Sequence, residues 1–331
     1  ALAQESPNIL LIIGDDMGVE TLASYGLGEN PPRTSALDEL AQDGVRFTNF
    51  WAQPVCSPTR ATVLTGRYGF RTGISRPVGG GPLPPPPEKP HWAPAESSGA
   101  PNAASPEDRA LPRPYLLPEE FTLPAALKSR PELGYATAAF GKWHLAMPAN
   151  GWTDHPNIVG FDHFAGLMGG GPESYFAWNK VVDGEVMGAV GYTATDKIDD
   201  ALAWLESQSD NPWFLWLAFN LGHTPLHLPP EESWQSDYSE FDAGSVPREH
   251  WGAYFNAMLE AMDTEIGRLL GSLEPEIRAN TYVIFMGDNG TYDPVVGEPF
   301  RRGRAKGTIY EGGVNVPFIV SGPGIERGSR S

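Results

Sequence analysis

An α/β fold built on a largely parallel sheet is predicted by three features of this 331-residue chain. Short apolar runs such as Asn8 to Gly14 (Asn-Ile-Leu-Leu-Ile-Ile-Gly) recur along it, and they read as strands buried on both faces. Segments with helical spacing alternate with these runs. Several runs end directly in polar residues, and in such sheets ligands sit outside the carboxyl ends of the strands.

The elements follow in order. Pro7 and Gly14 bound the first strand, and Asp15-Asp16 stand at its end. Thr34 or Ser35 caps a helix over Ser35 to Asp43, with Leu37, Leu40 and Ala41 on one face. Val45 to Phe50 reads as a short strand leading to the segment Val55 to Gly66, which holds Cys56. There Pro58 disfavours helix at Ser57 and supplies the fixed φ of a first helical turn. A short helix from about Thr59 to Thr65, stopped by Gly66, places Cys56 at a helix N-terminus. From Arg76 to Pro118 a proline- and glycine-rich insertion, with the tract Pro82-Leu-Pro-Pro-Pro-Pro87, has no core of its own. The strand–helix pattern resumes after it, so the whole chain, 1–331, is expected to be one domain.

Thr122 to Ser129 is a short helix, and Tyr135 to Phe140 is a strand followed by Gly141-Lys142-Trp143-His144. Asn150 to Gly191 is rich in glycine and aromatics and reads as irregular, with a hairpin at Lys180 to Val186 around Asp183-Gly184. Thr195 to Ser207 is an amphipathic helix. Trp213 to Phe219 is a buried strand followed by Asn220-Leu-Gly-His223-Thr-Pro-Leu-His227. His250 to Leu273 is the longest helical pattern. Thr281 to Met286 is a strand ending in Gly287-Asp288-Asn289-Gly290, and Val316 to Val320 is the last.

The net charge of −18 argues against nucleic acid as a partner, and no apolar run reaches membrane-spanning length. A single cysteine excludes an intrachain disulfide. Ala1-Leu2-Ala3-Gln4 resembles the small-x-small end of a secretory signal peptide, which favours a periplasmic or secreted protein.

Cys56 is either an inert buried thiol or a reactive group. The helix N-terminus and Arg60 one turn away favour an anion beside it. Asp15, Asp16, Asp288 and Asn289 offer only oxygen ligands, a set that suits calcium or magnesium, although Asp-Asp can equally cap a helix and Asp-Asn-Gly form a turn. Lys142 and His144, two apart, share a face on an extended chain. Taken alone, Lys306, His144 and His223 could be surface or packing residues. His227 carries no assignable role, and His91, His155, His163 and His250 read as surface or structural. Ten tryptophans and the segment Phe161 to Trp178 could stack on sugar or aryl groups, or belong to the core.

Cys56-Ser-Pro-Thr-Arg60, followed by Leu64-Thr-Gly-Arg67, resembles the signature of the sulfatase family, in which this cysteine is oxidised to formylglycine. Thr59 replaces a common serine. The resemblance extends to Asp15-Asp16, Gly-His223-Thr-Pro, Asp288-Asn289 and the block Ala305-Lys306-Gly-Thr-Ile-Tyr-Glu-Gly-Gly313. It implies an alkaline-phosphatase-like fold and hydrolysis of aryl or carbohydrate sulfate monoesters. It also implies a formylglycine-generating enzyme as maturation partner. Asp15, Asp16, Asp288, Asn289 and an oxygen of residue 56 would bind the cation, usually calcium. Arg60 would orient the formylglycine, Lys142 and Lys306 contact sulfate, His144 bond the formylglycine hydroxyl and His223 protonate the leaving oxygen. The hydrated aldehyde would attack sulfur, and its second hydroxyl would expel sulfate from the covalent sulfo-enzyme. Two other readings use the same residues: a phosphonate or phosphate-ester hydrolase, and a non-catalytic anion-binding homologue. Asn315 stands where the family commonly has arginine, and is read as structural. The family's smaller C-terminal subdomain is expected to be missing, so the sequence is either a fragment or an unusually short member.

Overall fold

The computed structural model describes residues 6–97, 115–208 and 211–331. The signal-like Ala1 to Gln4 and the middle of the insertion, 98–114, lie outside them. The described residues contain a ten-stranded sheet in the order β10-β2-β9-β8-β1-β7-β3-β4-β5-β6. Its centre is parallel: β8 (Thr281–Gly287), β1 (Asn8–Gly14), β7 (Trp213–Ala218), β3 (Ala136–Lys142) and β4 (His163–Leu167). One wing adds β9 (Phe318–Ser321) and β2 (Val45–Phe47) in antiparallel register, with β10 (Ser329–Arg330) parallel to β2. The other adds the hairpin β5 (Ala177–Val182) and β6 (Glu185–Val190).

Two apolar layers bury the sheet, which is why the central strands are apolar at successive positions rather than alternate ones. Leu10 and Ile12 of β1 face a layer that includes Met258, Leu259 and Met262 of the long helix Trp251–Gly271 and Ile198 of the helix Thr193–Glu206. Leu11 and Ile13 face the opposite layer, where Ala61 and Leu64 of α2 (Cys56–Thr65) pack with Trp143, Phe161 and Trp216. Ahead of α2, α1 (Ser35–Gln42) lies along the long helix, with Asp263 accepting the Ala36 and Leu37 N–H groups at 2.9 and 2.8 Å.

Register sets the functional rim. Gly14 pairs with Gly287, Ile13 with Ala218 and Gly141 with Ala218. Asp15-Asp16, Asp288-Asn289, Lys142 and the segment after β7 therefore emerge at one level.

Several expected boundaries move. α2 begins at Cys56 itself, with Ser57 helical: Pro58 occupies the first turn, where its missing N–H costs no intrahelical bond. β2 stops at Phe47, three residues short of the expected end. Asn150 to Gly191 is not all irregular: β4 completes the parallel centre, and the hairpin around Asp183-Gly184 runs from Ala177 to Val190. The insertion does enter the core at its described ends. Val78 and Leu116 are buried, and the Pro82 and Pro84 carbonyls accept hydrogen bonds from Trp152 Nε1 and Asn179 Nδ2 at 3.1 and 2.6 Å. No helix among the described residues is long and apolar enough to cross a membrane.

Candidate active site

α2 delivers the first group. Its N-terminus points Cys56 at the rim, and Cys56 is buried. His144 meets it from the end of β3. His144 Nε2 lies 3.0 Å from the Val78 carbonyl, and only an N–H can bond there. The proton therefore sits on Nε2, and the Nδ1 lone pair faces Cys56 Sγ at 3.1 Å to accept its S–H. Burial, then the charges of Lys142 and Arg60, hold the imidazole well below its ordinary pKa, so it is neutral. Lys142 and His144 do not share an extended face as expected. β3 ends at Lys142, and His144 takes φ +60°, a left-handed conformation uncommon outside glycine. Asp16 does the same at φ +58°. Both turn their side chains out of the strand line at the rim, where such local strain concentrates.

Arg60, one turn along α2, is fully buried and fixed at three points. Its Nε and Nη2 donate to Asp288 Oδ2 at 3.1 and 2.8 Å, and Nη1 donates to the Lys142 carbonyl at 2.9 Å. Lys142 Nζ donates to Asp15 Oδ2 at 2.6 Å, and Lys306 Nζ pairs with Asp16 Oδ1 at 2.5 Å. Three buried carboxylates thus face three cations, so the cluster is balanced although the chain carries −18. Balance is uneven within it. Burial and then Asp288 push the Asp15 carboxyl well above its usual range despite Lys142. Burial acts on Asp16 in the same direction, but Lys306, aided by His223 and Lys142, holds it below.

The oxygens of Asp15, Asp16 and Asp288 can approach one another within 4.8 Å, which is close enough to share one cation. Asn289 commits its Nδ2 to Asp16 Oδ1 and the Gly290 carbonyl at 2.8 and 2.9 Å, which leaves Oδ1 as the spare atom. Asn289 Oδ1 and Asp15 Oδ1 are buried without hydrogen-bond partners among the described residues. Two orphaned oxygens in an all-oxygen set fit a calcium- or magnesium-class ion.

His223, after β7, completes the ring. Nδ1–H donates to the Thr224 carbonyl at 2.9 Å, so Nε2 carries the lone pair. Burial, then Lys306 and Lys142, lower its pKa well below the ordinary value. Tyr175 Oη, 2.6 and 2.7 Å from the Asn220 and His223 carbonyls, ties this loop to the glycine-aromatic segment.

The structure thus brings together all ten candidates: Asp15, Asp16, Cys56, Arg60, Lys142, His144, His223, Asp288, Asn289 and Lys306. The remaining histidines that are held in place serve packing. His155 accepts from Trp143 Nε1 at 3.0 Å, His227 bonds Pro225 and Tyr192, and His163 pairs with Asp183. Asn315 donates to Glu311 at 2.9 Å and bridges Trp51, a structural place.

Sequence reasoning missed three contributors. The Val78 carbonyl sets the His144 tautomer, and a backbone atom leaves no residue-type signal. Ser57 donates to the His144 carbonyl at 2.8 Å and accepts the Val78 N–H at 3.0 Å, fastening both to α2. Gly170 and Gly171 lie against the two histidines: a Cβ there would stand 2.7 Å from His144 Cε1 and 2.8 Å from His223 Nδ1. The run of glycines at 169–171 was the available signal.

Known proteins resemble this chain throughout. A family model described as Sulfatase matches residues 7–331. The N-acetylgalactosamine-6-sulfatase of Sus scrofa is 31% identical over 97% of this chain and 58% of its own length. The arylsulfatase of Hemicentrotus pulcherrimus is 29% identical over 96% of this chain and 54% of its own. The chain spans little more than half the length of these relatives. Among solved structures, Ps i-CgsB in complex with k-i-k-neocarrahexaose matches with a TM-score of 0.74 at 24% identity, covering 98% of this chain and 68% of that one. The α/β fold, with its large, mostly parallel sheet flanked by helices, is thus that of sulfatase structures, matched over their N-terminal part. With a family model covering nearly every residue, the chain belongs to the sulfatase family.

Proposed function

We propose that this chain hydrolyses sulfate monoesters, using formylglycine made from Cys56 and one calcium or magnesium ion. The observation that carries the reading is the lone pair of neutral His144 aimed at residue 56, beside three aspartates balanced by Arg60, Lys142 and Lys306. Asp15, Asp16, Asp288, Asn289 and an oxygen on residue 56 would hold the cation, whose charge would polarise bound oxygen and offset charge on a sulfuryl group. Formylglycine would supply a hydrated aldehyde, a nucleophile with a second hydroxyl for regeneration.

The chain's own residues then have separate tasks. Arg60 holds Asp288 and the Lys142 backbone in place. Lys142 and Lys306 offer fixed positive charge to the sulfate oxygens. His144 Nδ1 accepts a proton from a hydroxyl at residue 56. His223 Nε2 faces the leaving oxygen, and protonating it requires the negative charge of a bound ester to raise its pKa. The fit of a neutral His223 among lysines supports this order: substrate first, then its proton.

The names of the relatives support a carbohydrate sulfate as natural substrate, with aryl sulfates as generic ones. A formylglycine-generating enzyme would be the maturation partner, and export to the periplasm or medium is the compartment read from Ala1 to Gln4. We read 1–331 as one catalytic domain, a reading supported by the one ten-stranded sheet that the described residues form. The test is sulfate release from 4-nitrophenyl sulfate by protein co-produced with that enzyme, with and without calcium. Calcium-dependent release is expected. Faster turnover of 4-nitrophenyl phosphate or of a phosphonate ester would contradict the substrate class.

A further inference from the structure

The proline-rich insertion and the segment after β7 meet in a cavity of about 370 Å³ that the proposed chemistry does not use. Trp92 of the insertion lines it and is 56% exposed, so its indole is open to a ligand. Phe176, buried, sets its ring at right angles to Trp92 with the centroids 6.0 Å apart. Trp234 and Phe241 complete the aromatic lining. The Trp234 Nε1–H donates to the Pro229 carbonyl at 2.9 Å, which fixes that ring. The Ala95 N–H donates to the Ala243 carbonyl at 2.6 Å, which ties the insertion to the loop carrying Phe241. Glu231 and Ser239, both exposed, add a carboxylate and a hydroxyl. No lysine, arginine or histidine lines the cavity. The stretch 231–244 carries five acidic residues (Glu231, Glu232, Asp237, Glu240 and Asp242) and no lysine or arginine.

Exposed aromatic faces gathered in one concave space mark a binding site. A wholly apolar ligand would strip water from Glu231 and Ser239 without replacing its hydrogen bonds. The acidic flank repels sulfate and carboxylate groups. A ligand that meets both conditions has apolar faces, hydroxyls at its edge and no negative charge, which is the chemistry of an unsulfated sugar ring. We propose that this cavity binds a neutral pyranose residue, with Trp92 as its stacking platform and Glu231 as acceptor for its hydroxyls. The proposal rests on the carbohydrate reading of the substrate and deepens it, by assigning a place to a sugar that lacks the ester. The cavity lies within an oligosaccharide's reach of His223: Leu228, on its wall, is five residues further on, at most about 18 Å of chain. Phe176 follows Tyr175, whose hydroxyl bonds the His223 carbonyl at 2.7 Å.

The test is calorimetric titration of the full chain with three neutral disaccharides, lactose, cellobiose and mannobiose, each with and without sodium sulfate to fill the anion site. Binding of at least one, unchanged by sulfate, is expected, with affinity falling at least about tenfold in Trp92→Ala. That variant should keep the kcat and KM of the parent for 4-nitrophenyl sulfate. No binding of any of the three, displacement by sulfate, or unchanged affinity in Trp92→Ala overturns the proposal. Glu231→Gln, at an exposed position, covers the case in which Trp92→Ala does not fold. It keeps the shape but turns a charged acceptor into a neutral one, so affinity should fall about fivefold, and unchanged affinity there overturns the site. Tighter binding of tetramethylammonium chloride or of hexaproline than of any disaccharide also overturns it, by giving the cavity to a soft cation or a peptide. Sulfate release without disaccharide binding sinks this inference alone. Disaccharide binding by a matured chain that releases no sulfate keeps the site and contradicts the proposed function.

Discussion

At the scale of single residues, this site rests on proton positions and space. Cys56→Ser keeps a small buried side chain but removes the group that maturation would oxidise. We expect sulfate release to fall by at least about a thousandfold, as when a nucleophile is lost, with the melting temperature unchanged. Gly171→Ala sets a Cβ 2.8 Å from His223 Nδ1. The leaving-group proton should then be delivered poorly. Rates for alkyl sulfates, whose leaving groups need that proton, should drop at least about tenfold, while aryl sulfates with good leaving groups change little. An equal drop for both would show that His223 is not the acid. Every candidate side chain was legible in the sequence because each follows an apolar run or lies in the Cys56 motif or the Lys306 block. What was not legible is what fixes them: the Val78 carbonyl, the Ser57 hydroxyl shared between two backbones, and the left-handed φ of Asp16 and His144. Alternation along an extended strand gave the wrong neighbour relation for Lys142 and His144, because the strand ends between them.

At the scale of elements, four of the five central strands were legible, as were β2, β9 and the hairpin turn in the wings, while β4 and β10 were not. β1, β3, β7 and β8 announce themselves by continuous apolar runs, since helices cover both faces. β4 hides among glycines and aromatics, and β10 is two residues long, so neither carries a periodic signal. The hairpin was found by its Asp183-Gly184 turn, although its strands reach further on both sides. Pro58 suggested a later start for α2, yet within a first turn proline removes no bond the helix needs. The long helix Trp251–Gly271 has the most to lose from truncation. Leu259 is fully buried against the sheet and lies next to Gly222 beside Phe255, so Leu259→Ala should cost about 2–5 kcal/mol in denaturant unfolding.

At the scale of the molecule, the acidic surface and the balanced site are separate facts. The charge of −18 speaks to solubility, while within the site Arg60, Lys142 and Lys306 offset the three buried aspartates one for one, so the cluster does not share the acidity of the chain. Calcium should raise the melting temperature in a concentration-dependent way, because it binds only the folded cluster, and Asp288→Asn should weaken that response. Acid should destabilise the fold through two buried histidines. Burial lowers His155 to about 4 and His227 to about 3, against an ordinary value of 6.5. Between those values and 6.5 the unfolded chain binds more protons. The stability they contribute is therefore full above pH 6.5 and is lost as pH falls through that window. Glu20 and Asp263, raised by burial to about 7 and about 6, act in the opposite sense and lose stability as pH rises. Melting curves from pH 8 to about 4 should show a shallower acid slope in His227→Gln than in the parent chain. An identical slope would mean that His227 is not held neutral.

The central claim is that residue 56 becomes an aldehyde that releases sulfate from esters. It is tested most directly by peptide mass spectrometry across Cys56, on protein matured in its native host or with a formylglycine-generating enzyme. The mass of the aldehyde or its hydrate at residue 56, in protein that releases sulfate from an aryl sulfate, is the result expected. An intact thiol in fully matured protein would contradict the account and leave an anion-binding role in its place.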